Sequence, residues 1–392
     1  MGGYLLSIFI QGIGKGLFFP IWILHLSNSK ISLFEIGVLG TLLEIVRFTT
    51  EVPFVAFADR YGRKISLLFS AVFNMLAILV FTKASTFVFF VVPILIMGLA
   101  DSFESGALEA WLADYLISRG REEDLENELR KTYITIILGN IIGAVSISYL
   151  YKINSVLPFI ISSILFGIAA FVICCFVKES LNSHTFENND NNIVTKIKSS
   201  YSLIKSEKFL LFLAISCFLF SIGLDGIERF YQTFLKSKNF SIFLISNVYI
   251  ISSFVSILFM LCQTKFFNVK SNPLLLVGLI ETFMFLSVLL SAIINVAFSS
   301  FIFIVLFFTL EITIRPLLQS YLNKNINSDI RATTLSFFQL VEAVGEIFAG
   351  IGIGYIMKIV GLDYGIVISG IFILMAGLIV FRILFNKEKG LF

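Results

Sequence analysis

Ionisable side chains recur inside stretches of this sequence that are otherwise apolar, and each is a charged group placed in a poor solvent. Lys15, then Glu44, Arg47 and Glu51, then Asp101, Glu104 and Glu109, interrupt runs of Leu, Ile, Val and Phe in the first half. Asp225, Glu228 and Arg229, then Glu311 and Arg315, then Glu342 and Glu346 do so in the second. An ion at the centre of a bilayer costs about 2.5 to 3.5 kcal/mol on insertion scales, so each such residue needs a partner or a wet cavity. Spacing sorts them by role. Glu44 with Arg47, Arg47 with Glu51, Asp225 with Arg229, and Glu311 with Arg315 stand three or four apart and share a helix face, where opposite charges neutralise each other. Neutralisation is the favoured reading of the Glu44, Arg47 and Glu51 set. For Glu311 and Arg315, beside Pro316, ligand binding and structural pairing both stand. Asp101 with Glu104 and Glu342 with Glu346 are like-charged neighbours, and two carboxylates on one face hold a proton or draw in a cation from another helix. Two readings of the first pair follow. Asp101 and Glu104 bind and release a coupling proton in competition with substrate, with Lys15 and Arg315 setting their affinity, or Lys15 simply bridges to one of them and locks two helices together. Glu281 is isolated in its run and is expected to face a neighbouring helix.

The elements that must position these groups follow from hydropathy. A chain of 392 residues that is 57% hydrophobic and 14% charged, with a mean hydropathy of +0.94, belongs in lipid. With about 20 apolar residues per crossing, twelve spans are expected, near 4 to 26, 35 to 57, 65 to 83, 87 to 112, 132 to 151, 156 to 177, 209 to 233, 243 to 263, 273 to 293, 299 to 322, 332 to 357 and 364 to 384. The run from Met1 has no basic leader and no small-residue cleavage site, so it is read as the first span. The polar segment 179 to 208, containing Glu187 to Asn192, separates a bundle at 1 to 178 from one at 209 to 392. About 19 Lys and Arg fall in loops on the side of Asp59 to Lys64, against about 6 opposite, which places both termini in the cytoplasm of a cell with this protein in its plasma membrane. Ser32-Leu33-Phe34-Glu35-Ile36-Gly37 and Ser241-Ile242-Phe243-Leu244-Ile245-Ser246, each before the second span of its half, support two parallel six-helix repeats.

Other chemistries find little to work with. Cys174, Cys175, Cys217 and Cys262 lie in or beside apolar runs without metal spacing and read as packing residues. His25 and His184 are expected outside the core, and two histidines do not build a metal site or a histidine relay. No nucleophile with a base and no phosphate-binding glycine loop is present, which argues against an enzyme, and no cofactor is expected. A formal charge of +3 implies no nucleic-acid partner. Trp22 and Trp111 suit helix ends at the two interfaces, and Pro20, Pro93 and Pro316 suit kinks. Gly12 with Gly16, Gly139 with Gly143, and Gly350 with Gly354 form small-xxx-small patterns that let helix backbones approach.

The segment Glu51 to Lys64 carries the sharpest signature. Its core, Asp59-Arg60-Tyr61-Gly62-Arg63-Lys64, resembles the loop between the second and third helices of the major facilitator superfamily, with Val55 and Phe57 where that family has glycine and leucine. Ser105 to Ala110 through Asp114, and Arg331 to Ser336, look like stretches of its drug-exporter-like members. Gly139-Asn140-Ile141-Ile142-Gly143 lacks the proline of the antiporter signature, and Thr264 to Asn272, the second copy of the signature loop, keeps only Lys265 and Lys270. The resemblance implies an all-α membrane protein of twelve transmembrane helices in two pseudo-symmetric six-helix bundles, with the first, fourth, seventh and tenth helices lining a cavity. It implies a gate at Asp59, Arg60, Gly62 and Arg63, with Asp114 pairing to Arg60 or Arg63. The substrate and proton site then falls on Lys15, Asp101, Glu104, Asp225, Glu228, Glu311, Arg315, Glu342 and Glu346. The expected function is proton-coupled efflux of small amphipathic, cationic or zwitterionic molecules by a monomer working through alternating access. The alternative is proton-coupled uptake, or facilitated passage, of a polar metabolite.

Overall fold

The computed structural model describes residues 1–105, 107–178, 208–266, 273–294, 298–325 and 328–388, with the side chains at 261–266, 315–316, 319–320, 322–336 and 387–388 outside the description. The segment 179–207, most of the second signature copy, Cys262, His184 and the side chains of Arg315, Pro316 and Arg331 to Ser336 therefore lie outside the described residues. Among the described residues there are helices and no strands. Ten helices among the described residues are long and apolar enough to cross a membrane. Two more, Leu33–Tyr61 and Ser299–Asn325, complete the set of long rods.

We number them in order: α1, Gly2–Phe18 continued by Trp22–Asn28; α2, Leu33–Tyr61; α3, Arg63–Phe81; α4, Phe87–Glu104 continued by Ala107–Ile117; α5, Leu125–Ile153; α6, Leu157–Phe176; α7, Lys208–Ser237; α8, Ile242–Ser246 continued by Val248–Phe266; α9, Pro273–Ile293; α10, Ser299–Asn325; α11, Ser328–Val360; and α12, Leu362–Glu388.

Local chemistry explains the starts and breaks. Ser32 and Glu35 form a reciprocal capping box on α2: the Ser32 N–H donates to Glu35 Oε2 at 2.8 Å and the Glu35 N–H to Ser32 Oγ at 3.3 Å. Ser241 caps α8 in the same way, accepting from the Leu244 N–H. The short repeat in the sequence is thus a repeat of helix caps. Gly62, at φ 107°, makes the turn from α2 to α3, a conformation costly for any other residue. Helix α1 breaks around Pro20, which cannot donate a backbone hydrogen bond. Helix α4, expected to be one continuous span from 87 to 112, is broken after Glu104 and resumes at Ala107.

The chain divides into two compact units, the first comprising 1–31, 42–187 and 241–247, the second 32–41, 188–240 and 248–392. In the first, α1 packs on α5 and α6, and α3 on α4 and α6. In the second, α7 packs on α11 and α12, and α9 on α10 and α12, the same pattern shifted by six helices. That shift is the structural form of the internal repeat.

Three expectations are corrected. Trp111 is not an interfacial anchor: it is buried, stacked on Tyr4 at 4.4 Å, and its Nε1–H donates to the Lys178 carbonyl at 3.1 Å. His25 does not lie outside the core but packs among the rings of Phe81, Phe90 and Phe159. Cys174 and Cys175 are exposed at the end of α6 and so pack against little, whereas Cys217 is buried.

The glycine patterns are close-packing seams. A Cβ on Gly16 would stand 2.3 Å from the Asn140 carbonyl oxygen, and one on Gly143 would stand 2.4 Å from that of Ile13, so α1 and α5 meet backbone to backbone. In the second unit Gly350 faces Gly37 and Thr41, whose hydroxyl donates to the Ile347 carbonyl. Gly16→Val should therefore lower the thermal unfolding midpoint in detergent by an amount corresponding to about 1 to 3 kcal/mol or more. Gly352→Ala, where nothing stands within 4 Å, should leave it unchanged. Equal midpoints for both variants would remove the seam from the account.

Candidate functional site

In the first unit the ionisable residues of α1, α2 and α4 form one cluster. Lys15 Nζ donates to both Glu104 oxygens at 2.7 Å. Arg47 Nη1 donates to both Glu44 oxygens at 3.1 Å, and Arg47 Nε lies 3.9 Å from Asp101 Oδ2. The like-charged Asp101 and Glu104 are thus divided between two cations from different helices, and Lys15 bridges α1 to α4.

The helix breaks explain this geometry. Glu104 closes the first segment of α4, where the negative end of the helix dipole disfavours a carboxylate. Lys15 lies in the last turn of the first segment of α1, where a cation is favoured. One ammonium therefore answers a carboxylate and two helix ends. The Lys15 and Glu104 side chains remain 26% and 20% exposed, so the pair is not sealed in the core. Beside it, the Thr50 and Ser102 hydroxyls meet at 2.8 Å and Ser105 Oγ donates to Glu51 at 2.9 Å. Glu109 accepts from the Tyr133 hydroxyl of α5.

The signature loop forms a separate ionic lock in the same unit. Arg63 stands 2.8 Å from Asp114 Oδ2 and 3.5 Å from Asp59 Oδ1. Arg60 lies over the Tyr61 ring instead, 5.3 Å from its centroid. Of the two candidate partners for Asp114, the structure selects Arg63. Lys64 donates to the Cys174 carbonyl at 2.9 Å, tying the loop to α6.

In the second unit Asp225 and Arg229 pair along α7: Arg229 Nη2 donates to Asp225 Oδ1 at 2.6 Å and Nε to Oδ2 at 3.0 Å. The guanidinium occupies space that a side chain at Gly40 would fill. One helix turn away, Glu228 accepts from the Tyr249 hydroxyl of α8, and buried Glu311 of α10 acts on the same tyrosine electrostatically. Tyr249 packs on Phe308 at 4.4 Å, and Tyr231 on Phe308 at 5.1 Å.

Two carboxylates beside three rings form an environment suited to an organic cation, because ring faces and carboxylates both attract positive charge. Tyr249 keeps 37% of its surface exposed, while Tyr231, Phe308 and Glu311 are buried. The sequence reading missed Tyr231 and Tyr249, since an aromatic among 45 Phe and 12 Tyr carries no signal by itself. Glu342 and Glu346 lie on α11 and face a different cavity. Among the described residues no three His, Cys, Asp or Glu side chains gather as a metal site.

Comparison with known proteins follows this geometry. The family model described as Major Facilitator Superfamily matches residues 4–350. The chain is 29% identical over 373 residues to an uncharacterized MFS-type transporter, YxaM, of Bacillus subtilis (strain 168), with 93% of this chain and 91% of that protein covered. It is 25% identical to multidrug resistance protein 2 of the same organism, covering 95% and 92%. A mutant of the nucleoside transporter NupG matches with a TM-score of 0.84 at 16% identity over 97% of this chain and 98% of that one, a likeness of fold.

Removing one member of the bridge leaves the other charged and unpaired. Glu104→Gln and Lys15→Met should each destabilise the protein, by about 3 kcal/mol where the pair is least hydrated, and the double substitution Lys15→Met with Glu104→Met should recover most of that loss. Thermal unfolding of the four proteins checks it, and additive losses would refute a direct pair. For the lock, Arg63→Asp with Asp114→Arg should restore transport lost in either single variant. A swap no better than the singles would dismiss the contact as a gate.

Proposed function

The chain belongs to the Major Facilitator Superfamily, and we propose that this membrane transporter is a proton-coupled exporter of small amphipathic cations or zwitterions. It is a multi-pass transporter of small molecules and not an enzyme. The observation that carries the proposal is the group Glu228, Glu311, Tyr231, Tyr249 and Phe308, where two acids and three rings gather around one tyrosine. An apolar cation there gains ring contacts and finds its counter-charge already present, so little is lost in desolvating the site. The name of multidrug resistance protein 2 supports efflux.

Coupling follows from charge. A carboxylate that binds a cation in one state and a proton in the other exchanges the two, and such exchange drives export against a gradient. Asp101 and Glu104, with Lys15 and Arg47 beside them, supply a second acidic centre that responds to the same proton supply. The Arg63 and Asp114 lock is assigned to the cytoplasmic gate, with both termini in the cytoplasm and the monomer working in the plasma membrane by rocking of its two halves.

A second reading is uptake of a polar metabolite. It is favoured by the Lys15–Glu104 and Asp225–Arg229 pairs, each of which offers both signs to a zwitterion.

Everted membrane vesicles separate the two. With an acid-inside gradient, a lipophilic cationic dye should accumulate in vesicles containing the protein and leave on addition of a protonophore. Tyr249→Ala and Glu228→Gln should each raise the dye concentration for half-maximal transport about threefold to thirtyfold. Dye movement indifferent to the gradient would overturn coupled export, and gradient-driven gathering of a polar metabolite into right-side-out vesicles would establish the second reading.

A further inference from the structure

The second unit encloses a cavity of about 50 Å³, apart from the aromatic and acidic group. It is bounded by Cys217 and Ser221 of α7, Glu281 of α9, Ile314 of α10, and Glu342 and Glu346 of α11. A single water needs roughly 10 to 15 Å³ measured in this way, so the space holds a few waters and no drug-sized molecule. Glu281 is its unusual member. The residue is 3% exposed, and among the described residues its Oε2 is buried with no hydrogen-bond partner.

The side chain lies against Gly377 of α12, where an added Cβ would stand 3.3 Å from Oε2. Helix α7 presents Cys217, and α11 presents Glu342 and Glu346. Helix α12 presents Gly377 and Val380, while its Arg382 lies over the Phe212 ring. Helix α10 presents Ile314 and Leu318. Among these described groups the titratable ones are acids, and none brings a positive charge to the cavity.

We propose that Glu281 is a proton-binding site of the transport cycle, loaded and unloaded through the small cavity it shares with Glu342 and Glu346. A lone carboxylate in apolar surroundings is stable only as the neutral acid, because the ion keeps a desolvation cost of several kcal/mol that no partner offsets. The cavity supplies the path, since a chain of a few waters accepts the proton from the carboxyl oxygen and hands it to a carboxylate across the space. Conformational change that brings water or a cation to Glu281 releases the proton, and its removal restores binding. Cavity size admits the proton and not the substrate, so Glu281 adds a proton site to the acidic groups at which cation and proton exchange. This role rests on the proton-coupled reading above. It adds a proton site on α9, a helix outside the set expected to line the substrate path.

Glu281→Gln is the direct test, because glutamine has the shape of the protonated acid. Infrared spectra of the purified protein in lipid should show a protonated carboxylic acid band at neutral pH that fades only in alkali and is missing from Glu281→Gln. The variant should keep the wild-type unfolding midpoint and gradient-free substrate exchange, yet lose about tenfold or more of gradient-driven accumulation. An identical acid band in both proteins overturns the proposal, as does accumulation equal to wild type. If the wild type itself gathers nothing on a pH gradient, the coupled reading falls and this role with it. If only the variant matches the wild type, the role of Glu281 falls alone.

Discussion

A charge inside a hydrocarbon slab must be compensated by the protein around it, and most features of this transporter answer that requirement. Lys15 reaches Glu104 across two helices, Arg47 serves both Glu44 and Asp101, and Arg229 grips Asp225 on its own helix. The helix breaks belong to the same solution. Interrupting α1 and α4 brings the ends of two helix dipoles to the level of the bridge, so that one ammonium is held by several partial charges as well as by a carboxylate. The glycine seams allow this by drawing α1 and α5 together until backbone touches backbone.

The two units spend their polar groups differently on a shared scaffold. Helix contacts repeat with a shift of six, but the first unit places its ions in cross-helix pairs and an Arg63 lock, while the second combines acids with tyrosines. Pairs that are partly hydrated hold helices in place and still open at modest cost, which suits parts that must move. Acids next to rings offer a cation both a counter-charge and ring faces. Glu281 is the extreme case, since among the described residues no hydrogen bond to its Oε2 accompanies its burial.

Much of the fold was legible in the sequence because lipid imposes length and hydropathy on every span. The Asp225–Arg229 pair was equally legible, since a spacing of four puts both side chains on one helix face. The Lys15–Glu104 bridge was visible only as one of two open readings, because its members are 89 residues apart and spacing says nothing across that distance. The aromatic group stayed hidden, as no periodicity separates a ring that binds from a ring that packs. Trp111 was misplaced for a related reason: near a helix end, an interfacial indole and one stacked under Tyr4 look alike in sequence. The break in α4 was missed although Ser105-Gly106 is a turn signal, because apolar residues resume directly after it and the span was read by hydropathy.

The central claim is that a cation and a proton compete for acidic groups held in this framework. Binding of one must then alter binding of the other by the same factor. The most direct measurement is proton release when a lipophilic cation is added to purified protein in weakly buffered detergent. The account predicts release of about one proton per cation bound, with apparent affinity for the cation rising as the solution is made more alkaline. Cation binding with no proton released, and with affinity constant across pH, would contradict it.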